Sequence, residues 1–305
     1  MTESPLAASA LLWPLIEQTT RQALDCGALY PIATQAYTLN DHGIPFLVRL
    51  VDSLIRKEQA QKTRGDRPQQ VSDNPFLPYE EALFVANLSP NHVCLLNKFN
   101  VVEHHLLIIT REYAAQQDWL TPADFTAFAR CGQQINGLGF YNSGPIAGAS
   151  QHHKHLQLVP LAIGEEAIAV PLDAVIHHHA EAIAASQTIP TLPFQHRIQP
   201  LTLAWAEHPC QEIGVMLHQT YQQLLQAIGI PLETPQPEEP YNLLMTREWM
   251  MVVRRSQASY QNIGVNSLGY AGWLLVKTIA ELEQLRQLGP LALLEKVGLS
   301  DILDE

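Results

Sequence analysis

His153 and His155 are separated by one residue, and Gln157 follows at the same interval in the run QHHKHLQLVP. Residues 153–160 have the composition of a strand, and on a strand alternate side chains share a face. His153, His155 and Gln157 therefore point one way, and His152, Lys154, Leu156 and Leu158 the other. Just upstream, NSGPIAGAS at 142–150 is a loop of small residues, with Gly144, Gly148, Ala147, Ala149 and Ser150. Small side chains let backbone N–H groups close on an anion, and serine hydroxyls add donors. Two imidazoles and an amide beside such a cradle suit nucleophilic attack on phosphorus by a histidine. Three plainer readings stand beside this one. The histidines could ligate a metal, although no third ligand of matching spacing is evident, and no metal ligands are assigned. They could also be structural polar residues on a strand, and the Gly/Ala loop could be an ordinary turn. The other histidines invite less. His177, His178 and His179 are consecutive on an expected helix, so they fan around its axis as a solvated face. Glu103, His104 and His105 read as the link of a hairpin.

The elements that must position these residues follow from pattern. A helix is expected over 11–28, from apolar positions at Leu12, Leu15, Ile16 and Leu24. Strands at 37–41 and 45–51 flank a turn at Asp41-His-Gly43, and 56–70 is a polar loop. Residues 74–78 (NPFLP) are expected to be extended, because proline disfavours helix at the residue before it. The runs HVCLLN at 92–97 and HLLIIT at 105–110 predict a β-hairpin. Thr121, Pro122 and Asp124 have the types and spacing of a helix start, with the helix running to about 137. Strands then begin at 140 and 153. Further helices are expected over 173–185, 213–228, 274–288 and 291–297, and a second hairpin from YNLLMT at 241–246 and WMMVVR at 249–254. The order strand, strand, small-residue loop occurs in both halves, which suggests an internal duplication in which only the first copy carries histidines.

Composition bounds the ligand. The 305 residues carry 18 Lys+Arg against 30 Asp+Glu, a formal net charge of −12, with 47% hydrophobic residues. Such a chain buries a core and is not disordered. Its acidity argues against a nucleic-acid binder. The segment 142–160 nevertheless contains no Asp or Glu, so the charge is compatible with a small, enclosed anion. The four cysteines, Cys26, Cys94, Cys131 and Cys210, form no C-x-x-C pair, which argues against a zinc ribbon or a disulfide framework. The N-terminus lacks a basic n-region and no apolar stretch is long enough to span a bilayer. A cytoplasmic protein without membrane partners is expected.

The pattern N-S-G-x-x-A-G-A-S-Q-x-H-K-H-L-Q resembles the active-site signature of the ATP adenylyltransferases, or diadenosine tetraphosphate phosphorylases. These nucleotidyltransferases are a branch of the histidine-triad superfamily, near the galactose-1-phosphate uridylyltransferases. The resemblance extends, in order, to LIRK at 54–57, NPF at 74–76, LNKF at 96–99, the strand at 105–110, YNLLMTREW at 241–249 and NSLGYAG at 266–272. It implies an α+β, histidine-triad-like fold: an antiparallel sheet with flanking helices in an internally duplicated, two-lobe arrangement. Three segments are expected: a catalytic lobe at 1–160, a connecting segment with a proline-rich linker at 161–240, and a C-terminal lobe at 241–305 that completes the sheet and the nucleotide site.

The resemblance also implies roles. His155 would be the nucleophile that takes AMP, His153 would support its orientation, and Gln157 stands where hydrolytic relatives keep a third histidine. An amide there can hold a phosphate oxygen but cannot act as acid or base, which fits transfer to phosphate and not to water. Asn142, Ser143, Gly148, Ala149 and Ser150 would bind phosphates, and Lys57, Asn97 and Lys98 would contact nucleotide and phosphate. Phe76 is a candidate for the adenine pocket. The implied reaction is phosphorolysis of diadenosine tetraphosphate to ATP and ADP, reversible, with diadenosine polyphosphates, ATP, ADP and inorganic phosphate as ligands. No cofactor is required by these residues; a divalent ion such as Mg2+ could arrive on the substrate's phosphates. Adenylyl sulfate phosphorolysis, sugar-phosphate uridylylation and a non-catalytic nucleotide sensor are the alternatives.

Overall fold

The computed structural model describes residues 11–51, 74–163 and 166–300. His155 lies near the middle of an eight-stranded sheet that is antiparallel at every step. Its strands are β3 (Phe84–Ser89), β4 (His92–Leu96), β5 (Leu106–Thr110), β6 (Gly137–Asn142), β7 (His155–Pro160), β8 (His196–Pro200), β9 (Tyr241–Met245) and β10 (Trp249–Arg254), in the order β8-β10-β9-β6-β7-β5-β4-β3. A smaller sheet holds β1 (Thr34–Asp41), β2 (Ile44–Val51) and β11 (Trp273–Val276), with β11 parallel to β2. The main sheet is thus shared by both ends of the chain: Asn142 of β6 pairs with Asn242 of β9.

Period-two alternation sorts the sheet's two faces. Leu156 and Leu158 of β7 point into a core built with the helices α1 (Leu12–Asp25), α2 (Pro122–Gly132) and α3 (Cys210–Ala227), against Phe125, Phe128, Leu217 and Tyr221. On the opposite face lie two separate apolar groups. One contains Phe76, Val93, Leu95, Leu107 and Ile109. The other contains Phe140, Val159, Leu244 and Met251 and continues into the small sheet through Phe46, Val48 and Leu274. His155 pairs with Ile109, and Gln157 pairs with Leu107 on one side and Phe140 on the other. The polar residues of β7 therefore form a seam between two apolar patches.

Local signals explain most of the elements. Thr121 and Asp124 form a reciprocal capping box at the start of α2, satisfying two backbone donors at once. The β1–β2 turn has His42 and Gly43 at positive φ, as the Asp-His-Gly signal implies. Several expectations are corrected. Residues 75–78 form a turn where extended chain was expected, because Asn74 accepts the backbone N–H of Phe76 through its side chain at 3.0 Å. The helix expected from 274 begins later: Trp273–Val276 is β11, and α4 (Ile279–Leu288) starts only after Thr278, whose hydroxyl accepts the N–H of Glu281. The α2 helix stops at Gly132. Strands β3 and β8 carry no strong sequence signal and are held by their neighbours in the sheet. In the second half, the small-residue segment after β10 leads to β11 of the small sheet, not to a strand of the main sheet. Among the described residues no helix is long and apolar enough to cross a membrane.

Candidate active site

The chemistry open to His155 is defined by a tautomer. His155 Nδ1 lies 2.8 Å from the backbone carbonyl of His153, so Nδ1 carries the proton and donates it. Nε2 then holds a lone pair, and no protein group among the described residues takes it. Burial pushes the His155 pKa down from 6.5 to about 4, so the ring is neutral at physiological pH. The His155 backbone is fixed as well: its N–H donates to Gln116 Oε1 at 2.8 Å, and its carbonyl accepts from Gln116 Nε2. Phe76 packs edge-on against both His153 and His155, with ring centroids 5.6 and 5.5 Å away.

His153 acts on His155 through its carbonyl, not its ring. The ring is engaged elsewhere: Nε2 donates to the carbonyl of Thr110 at 2.8 Å, and Nδ1 accepts from Asn74 Nδ2 at 3.0 Å. Burial lowers its pKa, so it too is held neutral. Only an isolated bridge to Ala115 precedes the strand proper, which begins at His155.

Gln157 is oriented by a residue that the sequence reading assigned to a hairpin link. His105 Nε2 lies 3.0 Å from Gln157 Oε1, and His105 Nδ1 lies 3.3 Å from Asn97 Nδ2. Asn97 Oδ1 accepts the backbone N–H of Phe99, which fixes that amide and leaves its Nδ2 to donate to His105. A neutral imidazole has one donor and one acceptor, so His105 must donate to Gln157. The Gln157 Nε2 donors are then left for a ligand.

Asn97, His105, Gln157, Asn142, Gly148, Ala149 and Ser150 line one cavity of about 680 Å3. The rest of its wall is largely apolar, with Ile32, Leu47, Phe99, Val102, Leu268 and Trp273, and it also touches Arg49, Lys277 and Glu281. A mostly apolar cleft with a few convergent polar groups is the usual form of a small-molecule site. Asn142 Oδ1 accepts from Asn242 Nδ2 at 2.8 Å and from the N–H of Ser267 at 2.9 Å, so its own Nδ2 is free to donate. In the loop, the N–H groups of Gly148 and Ala149 are used internally, on the carbonyls of Pro145 and Gly144. The donors left to a ligand begin at Ser150, fewer than the small-residue pattern alone implies. Gly148 sits at φ +92°, and a Cβ there would lie 2.6 Å from the carbonyl oxygen of Val265, so this glycine is where the loop meets the C-terminal part of the chain.

Other residues singled out in the sequence, His153, His155 and Phe76 among them, are not on the cavity wall. Ser143 Oγ accepts the N–H of Tyr241 at 2.7 Å and ties β6 to β9. Lys98 Nζ lies 2.6 Å from Glu80 Oε2, over the Tyr30 ring. Lys154 is buried on the opposite face, with Nζ 3.3 Å from Asp124 Oδ2 and 2.7 Å from the Trp119 carbonyl. Lys57 lies outside the described residues. Among the described residues no three His, Cys, Asp or Glu side chains converge as a metal site.

Comparison with known proteins decides the family. Residues 2–178 match the model of the Ap4A phosphorylase N-terminal domain, and residues 190–300 that of the ATP adenylyltransferase C-terminal domain. The chain belongs to the Ap4A phosphorylase/ATP adenylyltransferase family. It is 31% identical over 280 residues to protein APA1 of Saccharomyces cerevisiae, covering 86% of each chain. It is also 31% identical over 269 residues to diadenosine 5',5'''-P1,P4-tetraphosphate phosphorylase 2 of the same organism, covering 79% of each. The crystal structure of yeast Ap4A phosphorylase Apa2 in complex with AMP shares the fold, with a TM-score of 0.73 and 26% identity over 99% of this chain and 100% of that one. Within this Ap4A phosphorylase family member, His105, Asn242 and Ser267 are the site residues that the sequence reading missed. His105 was within reach: continuing the 92–110 hairpin register by one residue past its last pair, Leu96 with Leu106, sets it opposite Asn97.

Proposed function

We propose that this chain phosphorolyses diadenosine tetraphosphate to ATP and ADP through an adenylyl group carried on His155. The observation that supports this most is the state of His155, neutral and with its Nδ1 proton committed to the His153 carbonyl, so that Nε2 is the nucleophilic atom. In the first half-reaction Nε2 attacks the α-phosphorus, a P–N bond forms, and the P–O bond breaks with its electron pair leaving on ATP. A terminal phosphate oxygen is a good leaving group, so no general acid is needed. In the second, an oxygen of inorganic phosphate attacks the same phosphorus, the P–N bond breaks, and ADP is released with His155 restored. Asn142 Nδ2, Gln157 Nε2 and the Ser150 hydroxyl are donors suited to the equatorial oxygens, where charge develops. Gln157 cannot shuttle a proton, which favours an acceptor that arrives already anionic. Among the described residues Glu281 is the one carboxylate on the cavity wall, so a divalent ion such as Mg2+ would be held mainly by substrate phosphates. The unpaired cysteines fit a reducing, cytoplasmic setting.

The test is intact-mass measurement after mixing the protein with diadenosine tetraphosphate in the absence of phosphate. One adenylyl group should be gained, lost on adding phosphate with ADP appearing, and absent from His155→Ala. Turnover by that variant would sink the assignment.

A further inference from the structure

Arg255 is 1% exposed and, among the described residues, pairs with no carboxylate. Its guanidinium has five N–H donors, and each meets a neutral oxygen. Nε donates to the Val297 carbonyl at 3.1 Å; Nη1 donates to Ala147 O at 3.2 Å and to Asn242 Oδ1 at 2.6 Å; Nη2 donates to Gln257 O at 2.8 Å and Val265 O at 3.0 Å. The other basic residues near this region differ: Lys98, Lys154 and Arg254 face Glu80, Asp124 and Glu239. A buried cation neutralised only by dipoles is costly, and such charges are ordinarily paired. Here the missing negative charge has a candidate in the ligand.

The path to the ligand is short and its direction is fixed at every atom. Arg255 can only donate, so Asn242 presents Oδ1 to it. Asn242 Nδ2 then donates to Asn142 Oδ1 and to the Ala147 carbonyl, both at 2.8 Å. Asn142 in turn is left with Nδ2 as a donor on the cavity wall. Flipping either amide would set donor against donor. Arg255 also holds the loop itself, through the Ala147 carbonyl one residue before Gly148, and ties it to Val265 across the closest approach of that loop.

We propose that Arg255 is a positioning residue for the phosphate site, acting through Asn242 to aim and polarise the Asn142 amide at a phosphate oxygen, its uncompensated charge answered by the anionic ligand. The inference rests on the reading of the cavity as a nucleotide phosphate site. It also adds positive potential to that of Arg49 and Lys277 on the cavity wall, in a chain of net charge −12 whose Lys154 and Lys98 each face a carboxylate.

The experiment compares AMP with adenosine, which lacks the phosphate, by calorimetric titration of the full-length protein. Arg255→Met and Asn242→Asp should each weaken AMP binding by about tenfold or more, the loss of one charge-assisted hydrogen bond, with adenosine changed less than about twofold. Arg255→Lys, which keeps the charge but only three donors, should recover part of the loss. Asn242→Asp gives Arg255 a carboxylate, so it preserves a compensated buried pair and decides the matter should Arg255→Met fail to fold. In an Asn142→Ala background, Asn242→Asp should cause no further loss of AMP affinity. Equal weakening of AMP and adenosine, unchanged AMP binding in a folded Arg255→Met protein, or additive losses in the double variant would each overturn the proposal. A wild-type protein that neither binds AMP nor takes up an adenylyl group would instead overturn the functional reading itself.

Discussion

His105 donates through Nε2 to Gln157 Oε1 at 3.0 Å, and this bond dictates which end of the Gln157 amide a ligand meets. His105→Ala should free that amide to rotate, lowering kcat by about tenfold or more while the melting temperature changes little beyond a side-chain truncation. His105→Asn, which can still donate to Oε1, should recover part of the rate. A His105→Ala enzyme with wild-type kcat would show that Gln157 needs no such partner. The same relay predicts that Gln157→Glu is the worse change, since a carboxylate would face phosphate oxygens.

The pH dependence follows from burial. His155 and His105 titrate at about 4 in the folded protein against 6.5 for the free side chain, burial being the main cause for both. The neutral nucleophile should therefore persist well below pH 6.5. Adenylylation in the absence of phosphate, followed by rapid quench, should be flat from neutral pH to about 5 and fall towards 4. Measuring only this half-reaction keeps the ionisation of inorganic phosphate out of the profile. For stability the sign is the same: between about 4 and 6.5 the unfolded chain binds more protons than the folded one, so stability declines as pH falls through that window. A rate profile with its limb at 6.5 would mean that His155 is solvated.

Legibility in the sequence divides by range. Period two along one strand sets His155 and Gln157 on a common face, and three residues, Thr121, Pro122 and Asp124, suffice to announce a helix start. Both hairpins are equally local. What escaped depends on partners distant in the chain: Asn142 meets Asn242 a hundred positions on, and neither residue type announces the other. Lys154 lies beside the histidines, but its charge is spent on Asp124, reached only by folding α2 across the sheet. The four apolar residues of β11 are as consistent with a helix turn as with a strand; parallel pairing with β2 decides it. The Gly/Ala loop offers fewer free backbone donors than its composition implies, because its internal hydrogen bonds depend on the turn it adopts.

Asp124 joins His92 Nε2 at 2.9 Å, Lys154 and the Thr121 cap in one buried network. Burial raises its pKa, but His92, Lys154 and the Thr121 N–H together outweigh burial and hold it at about 2. Asp124→Asn should destabilise the protein by about 3–5 kcal/mol, because it strands the Lys154 charge in an apolar setting. Lys154→Met should cost clearly less, since Asp124 keeps His92 and the helix N-terminus. Urea denaturation of the two variants checks the order. The reverse order would mean that Lys154 has solvent access when Asp124 is lost. Adenylylation should survive Lys154→Met in part, because the lysine faces away from His155.

Two glycines at positive φ separate conformational strain from site geometry. Gly43, in the β1–β2 turn at φ +83°, has nothing within 4 Å of an added Cβ, whereas Gly148 at φ +92° would collide with Val265 O and Asn266. Alanine at either position incurs the left-handed penalty, about 1–2 kcal/mol. Only at Gly148 must the backbone also separate, moving Ala149 and Ser150 away from the segment that carries Asn266 and Ser267. Gly43→Ala should lower the melting temperature and leave AMP affinity unchanged. Gly148→Ala should lower both, with the affinity loss exceeding tenfold, about 1.4 kcal/mol. Equal effects from the two substitutions, measured by thermal melts and titration, would show that the loop's approach to Val265 is not what shapes the phosphate site.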